Sequence, residues 1–278
     1  MSVSTPHVVQ RPSVIGSDFK RFFALAWTLA VTDWKLRFYG SALGYAWTLA
    51  RPFLFFGVIY FVFTEIVGLN KDVPNYGIVI LFSLVLFNFF GEATGGCVSC
   101  LVVRESLLRK VRFPRLVIPT SVILVALFNL GMTLIAVVIF GAFSGVYPKW
   151  SWFELIPIIV AFTMFAAGVG LLLSALFVRF RDVEPIWDVF TQMLFYASPL
   201  LYVASNVPEK YLDLYMLNPI ATLLTATRHV AVDPNAPEPW DLVSSPELLL
   251  IPAALVVGLL VLGAWVFSRE APKIAENL

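Results

Sequence analysis

The sequence predicts an all-α, polytopic membrane protein with six transmembrane helices, an N-terminal amphipathic interfacial helix and a short re-entrant outer helix between the fifth and sixth spans. Three observations carry that expectation. Of 278 residues, 59% are hydrophobic and 13% charged, whereas charged residues make up about a quarter of a soluble chain. Six apolar runs reach or approach the roughly 20 residues that a spanning helix needs. The remaining charge is lopsided: of 19 Lys and Arg residues, only Lys71, Lys149, Lys210 and Arg228 fall in segments that an even number of crossings places outside. Short loops rich in Lys and Arg mark the cytoplasmic face, so both termini are expected inside.

Residues 1–16, with Pro6 and Pro12, read as a disordered tail. Over 17–39 the apolar residues Phe19, Phe22, Phe23, Ala26, Trp27, Ala30 and Trp34 share one helical face, opposite Ser17, Arg21, Thr28, Thr32 and Lys35. The uninterrupted apolar part, 22–31, is too short to cross. Such a helix either lies along the cytoplasmic membrane surface, with Trp27 and Trp34 at the headgroups and Arg21, Lys35 and Arg37 in water, or packs on the protein itself. Glycines at 40 and 44 let the chain bend into the bilayer.

The six-span domain, 40–278, then follows. The first span runs over 47–68, with Arg51-Pro52 near its inner end, and the polar turn 71–75 leads to the second, 76–101. The third covers 116–143. An interfacial loop with Tyr147, Pro148, Lys149, Trp150 and Trp152 precedes the fourth, 153–178, which ends at Arg179-Phe180-Arg181-Asp182. The fifth is 185–204 and the sixth 248–267. Between them the outer region 205–247 holds an apolar stretch headed by Asn218-Pro219, a helix-start signal, and then the irregular Pro234, Pro237 and Pro239.

The segment 104–119, RESLLRKVRFPRLVIP, is the strongly basic island between the second and third spans. A charge cluster of this kind lies in water or on another protein, not in hydrocarbon. Glu105 stands four residues before Arg109, a favourable helical pairing, and Phe113-Pro114 ends the helix because proline has no amide hydrogen to donate. A short cationic cytoplasmic helix results, serving either as an orienting loop or as a docking element.

Enzymatic signatures are missing. There is no GxxxxGK[ST] loop to cradle nucleotide phosphates, no GxSxG and no HExxH. Cys97 and Cys100 lack the further ligands of a zinc site, since the two histidines, His7 and His229, lie far away in the chain, so no catalytic residue and no metal site is expected. Within the spans, Glu65 can reach the outer interface, whereas Glu92 is deeper and must face protein or water, either as a hydrogen-bonded structural group or in a transport path. Phe53, Phe56, Tyr60 and Phe63 follow helical spacing on the first span, and Phe195, Tyr196 and Tyr202 lie on the fifth. These aromatics either face lipid and packed neighbours or form a surface on which sugar rings slide.

Several elements together resemble a known family. Arg37, Ser41, Leu43, Gly44 and Trp47 stand at the start of the first span, Asn88-Phe89-Phe90 in the second, and LRKVRFPRLVIP at 108–119. Arg181-Asp182 follows the fourth, Ser198-Pro199 and Tyr202 belong to the fifth, and Leu217-Asn218-Pro219 with Arg228 lie outside. In this order they are similar to ABC type-2 membrane permeases, specifically the Wzm-like polysaccharide-export subunits of the O-antigen and teichoic-acid type. A departure is Glu105-Ser106, where such permeases usually carry asparagines.

The resemblance implies one subunit of a homodimer, with two separate ATP-binding cassette subunits that use ATP and Mg, while this chain binds no cofactor of its own and no nucleic acid. It implies a coupling helix at 104–113, with Arg104, Glu105, Leu108, Arg109, Lys110, Arg112 and Phe113 meeting the ATPase. The implied substrate is a polyprenyl-diphosphate-linked polysaccharide moved from the cytoplasm across the bacterial inner membrane. Arg37 and Arg51 are then candidate diphosphate contacts, although orienting charge explains them equally well. An efflux permease for drugs or lipids, a membrane-embedded glycan-processing enzyme and a scaffold for wall assembly are the competing readings.

Overall fold

The computed structural model describes residues 19–39, 44–68, 73–110 and 113–277. The expected tail, the junction around Ser41 and Leu43, Lys71 and Arg112 lie outside them. Eleven α-helices and no strand occur among the described residues. Helix α1 (Phe19–Phe38) falls within 17–39, where the periodicity predicts a helix. Helix α2 (Gly44–Phe61) carries Pro52 inside it and passes into a π-helix over Val62–Ile66. Helix α3 (Tyr76–Val98) breaks at Ser99 and resumes as the one-turn α4 (Cys100–Val103). The basic island forms α5 (Glu105–Lys110), and α6 (Val117–Phe143) starts after Pro114. Next come α7 (Leu155–Phe177), α8 (Val183–Tyr196), α9 (Glu209–Met216), α10 (Pro219–Ala231) and α11 (Leu250–Asn277).

Among the described residues, five helical segments are long and apolar enough to cross a membrane: Leu49–Ile66, Tyr76–Val98, Val117–Phe143, Trp150–Phe177 and Pro246–Glu270. The expected fifth span, 185–204, needs correction, because only α8, 14 residues long, is helical there. A helix of that length rises roughly 21 Å, short of a hydrocarbon core about 30 Å thick. The reason is local: the helix closes at Ala197 just before Pro199, which offers no amide to the ladder. Asn218 then clasps the break. Its amide nitrogen donates to the Ser198 hydroxyl at 2.9 Å and the Ala197 carbonyl at 3.3 Å, while its Oδ1 accepts from the Ile220 amide at 3.0 Å and so caps α10.

Helix α3 is the hub. It packs against α2, α6, α7, α8 and α10, and its buried residues include Phe82, Phe87, Phe89, Phe90 and Thr94. Phe90 stacks on Phe165 of α7 with ring centroids 5.1 Å apart, and Trp187 of α8 donates its indole N–H to Thr94 at 3.2 Å. Helix α11 packs along α7, most tightly where Gly168 meets Leu260 and Gly263. A Cβ at Gly263 would lie 2.2 Å from the Gly168 carbonyl oxygen, so the backbones touch as only glycine permits.

The loop before α7 is tied to α10. Ser151 donates to the Val230 carbonyl at 2.9 Å and Trp152 to that of Ala231 at 3.2 Å. The sequence places Trp152 at the lipid interface; in the structure its indole is spent on protein. Helix α9, unexpected from the sequence, is held by Asp213, whose carboxylate accepts from the Ser244 amide and hydroxyl. Those bonds hold the Asp213 carboxyl below the usual carboxylate range.

Candidate functional site

Helix α1 packs on the chain's own α6, which makes the second of its two expected settings the observed one for its inner face. Phe22, Ala26 and Ala30 form the buried stripe, while Phe19, Phe23 and Trp27 stay exposed. Continued by three and four residues per turn, the stripe reaches Asp33, Trp34 and Arg37, so the inner face of α1 turns polar over its last two turns. Each of these meets a partner from the bundle. Asp33 pairs with Arg104, which also donates to the Ser121 hydroxyl at 2.9 Å. Trp34 donates its indole N–H to Asn129 Oδ1 at 2.9 Å, and Asn129 Nδ2 donates to Glu92 Oε1 at 2.8 Å. Arg37 pairs with the same Glu92 oxygen.

These contacts settle where Glu92 faces and relocate Trp34. Rather than sitting at the headgroups, the Trp34 ring packs edge-on against Phe38 and Phe128. A lone acid on the apolar stripe of an amphipathic helix, Asp33, and a lone amide in the middle of an apolar span, Asn129, were the available signals.

Above the Arg37–Glu92 pair opens a cleft of about 910 Å³, walled by α2, α3, α6 and α8. Its polar lining is Arg37, Arg51, Asn88, Glu92, Asn129, Thr133 and Thr191, and its aromatic lining includes Trp47, Phe55, Phe87 and Phe195. A hollow of about 450 Å³ adjoins it, sharing Phe55, Phe87, Gly91, Thr191 and Phe195 and adding Asp188 and Tyr196. The Thr191 hydroxyl is buried without a partner among the described residues. Both expected cations, Arg37 and Arg51, line the cleft. Arg51 is exposed and forms no ion pair among the described residues.

Of the aromatics on the two spans, Phe195 lines both hollows and Tyr196 the smaller one, whereas Phe53 and Phe56 lie outside both linings and pack on Phe140 of α6 at 6.2 and 5.6 Å between centroids. Phe63 joins the core, and Tyr60 lies against Phe56. The spacing of 53, 56, 60 and 63 does describe one helical face, but it is the face α2 turns toward α6; the cleft receives Phe55. Tyr202 sits beyond the break in α8, bonded to the Tyr196 carbonyl and to Tyr215.

At the basic island, Glu105 and Arg109 form the expected ion pair at 2.6 Å. Ser106, Arg109 and Lys110 make up the exposed face of α5. Leu108 and Phe113 pack inward on a cluster that contains Leu101, Ile118 and Phe267, and Arg104 is turned inward to Asp33. The outward cationic surface is therefore narrower than the sequence reading, and the rest of the island anchors it.

Comparisons with known proteins agree with this architecture. Residues 24–232 match the family model of the ABC-2 type transporter. An O-antigen export system permease protein of Myxococcus xanthus is 29% identical over 264 residues, 94% of this chain and 98% of that one. One from Klebsiella pneumoniae is 30% identical over 207 residues, 74% of this chain and 79% of its own length.

Proposed function

This chain belongs to the ABC-2 type transporter family, and from that premise we propose that it is the membrane subunit of an ATP-driven exporter that moves a polysaccharide carried on a polyprenyl diphosphate. The observation that carries the reading is the cleft, whose lining joins two guanidinium groups, Arg37 and Arg51, with the aromatic side chains of Trp47, Phe55, Phe87 and Phe195. Guanidinium forks suit phosphate oxygens, and aromatic faces suit sugar rings without fixing them in a deep minimum. The relatives named as O-antigen export permeases support a glycan as cargo.

Two copies form the path, with α2 and α8 as the facing surfaces. Leu54, Val58 and Phe61 of α2 and Ile186, Val189 and Met193 of α8 are large, apolar and exposed on either side of the cleft. Both termini lie in the cytoplasm, the membrane is the bacterial inner membrane, and α8 with the segment behind it completes the sixth passage. ATP and Mg are used by two separate cassette subunits, in keeping with a sequence that lacks a GxxxxGK[ST] loop.

Those subunits bind the outward face of α5 through Ser106, Arg109 and Lys110. When they close on ATP, the shift of α5 passes through the Arg104–Asp33 pair to α1, and α1 carries Arg37 at the cleft floor. The two states interconvert because the ATPases contact them differently.

The charge-reversal pair Arg109→Glu and Lys110→Glu tests this reading. The altered subunit is expected to insert normally, to lose co-purification of the cassette subunits, and to leave lipid-linked glycan accumulating inside the cell. Unchanged partnership together with unchanged surface glycan would reduce α5 to an orienting loop and overturn the reading.

A further inference from the structure

The cleft contains its own anion. Among the described residues that line it, the charged groups are Arg37, Arg51 and Glu92. With Glu92 charged, one guanidinium is neutralised from within and one is left over.

The way Glu92 is seated matters more than the count. Its Oε1 receives two donors, the Arg37 guanidinium and Asn129 Nδ2 at 2.8 Å. Asn129 is in turn oriented by the Trp34 indole, whose N–H bonds Oδ1 at 2.9 Å, so the amide presents nitrogen, not oxygen, to the carboxylate. Glu92 therefore keeps a hydrogen bond whether or not Arg37 stays with it. The Arg37 side chain is 51% exposed and that of Glu92 33%. Ion pairs this open to solvent exchange readily, because water and competing ions offer nearly equal partners.

We propose that Glu92 is the release group of this cleft: it occupies Arg37 when the cleft is empty and competes with a ligand's phosphate for that guanidinium. The proposal rests on the reading above, in which Arg37 and Arg51 meet the phosphate-bearing head of the cargo. A doubly charged phosphate group brought to two guanidiniums gains bidentate, charge-assisted bonds, and the Glu92 carboxylate beside it repels it. A carrier must bind its cargo firmly enough to load and loosely enough to let go. Glu92 supplies the second half of that requirement, and its Asn129 bond prevents it from being stranded while the ligand holds Arg37.

The test uses the full transporter, permease with its ATPase subunits, in phosphatidylcholine nanodiscs without ATP, and equilibrium binding of farnesyl diphosphate and of inorganic pyrophosphate. Glu92→Gln keeps the shape and the Asn129 partner but removes the charge, and it is expected to bind the probe about tenfold tighter than wild type, the scale of one charge-assisted hydrogen bond. Glu92→Ala, a second uncharged variant that guards against an assembly defect in the first, should move the same way. Glu92→Asp, which keeps the charge, should stay within about twofold of wild type. A residue with only a structural role would not sort its variants by charge.

Tightening toward both probes supports the proposal with the phosphate head alone as the recognised element. Tightening confined to farnesyl diphosphate supports it with the lipid-carried group. Uncharged variants that bind no tighter than wild type overturn the release role; if Arg37→Gln and Arg51→Gln still weaken binding, the phosphate-site reading survives that failure. No binding by wild type or by any Glu92 variant overturns both.

Discussion

Helices α2 and α3 are consecutive spans with mean hydropathies of 1.6 and 1.8, yet 17% of the first window and 78% of the second is buried within the chain. Hydropathy reports only that a segment leaves water. Whether lipid or protein then surrounds it depends on shape, because hydrocarbon tails are as apolar as leucine and do not drive helices together. In α3 the large side chains of 78–87 are all buried against neighbouring helices, and a Cβ at Gly96 would lie 2.8 Å from a Val122 methyl of α6. In α2 side chains just as large, Leu54, Phe55, Val58 and Phe61 among them, are exposed. An exposed face of that kind beside a polar cleft is what a second copy of the chain would cover.

The contrast can be broken at its extremes. Helix α11 is as exposed as α2, with 17% of the span buried, but one side of it packs along α7 with its tightest point at the Gly168–Gly263 contact. Gly263→Ala puts a methyl into the Gly168 backbone and is expected to cost upwards of about 3 kcal/mol, with loss of assembled protein in membranes. Helix α3 comes next. Phe90→Ala removes a fully buried ring stacked on Phe165 and should cost about 3 kcal/mol in a reversible unfolding assay in micelles. Phe61→Ala on α2 should change the same assay by less than about 0.5 kcal/mol. An equal cost at the two positions would mean that α2 is not the exposed helix described here.

Cysteines at Val58 and Val189, in a chain whose buried Cys97 and Cys100 are replaced by alanine, should cross-link two copies on oxidation. A ladder of random products, or none, would assign those faces to lipid. The smallest effect lies at the outer edge. The folded Asp213 carboxyl is held below its ordinary value by Ser244, so the tie is fully present above the ordinary carboxylate pKa of about 3.9 and is lost as pH falls through the lower folded value. The protection factor of the Ser244 amide, an unstructured amide's exchange rate at the same pH divided by its own, should be constant from neutral pH down to that range and then fall, and Asp213→Asn should remove that pH dependence.

Much of this molecule was legible in one dimension because its signals are local. The Asn218-Pro219 helix start and the Glu105–Arg109 pair each depend on residues within a few positions of one another. The early end of α8 was missed although Ser198-Pro199 lay in plain view, since an apolar run reads the same whether or not its backbone stays helical. The floor of the cleft was missed for a different reason. Asp33 finds Arg104 across 71 residues and Trp34 finds Asn129 across 95, and no periodicity within a helix announces a partner on another one. The displaced aromatic stripe on α2 belongs to the same class of error: spacing identified the face, and only packing could say what it faced.

The Asn218 clasp has a mechanical consequence. One side chain grips the last carbonyl of α8, the hydroxyl after it and the first turn of α10, so these two helices share a riveted joint rather than a hinge. If α8 tilts at its inner end, α10 swings with it as the far arm of a lever. Ser151 and Trp152, bonded to the last carbonyls of α10, lengthen that arm to the loop in front of α7. A displacement of α8 would therefore be passed through α10 to the loop in front of α7, with no second source of force needed there.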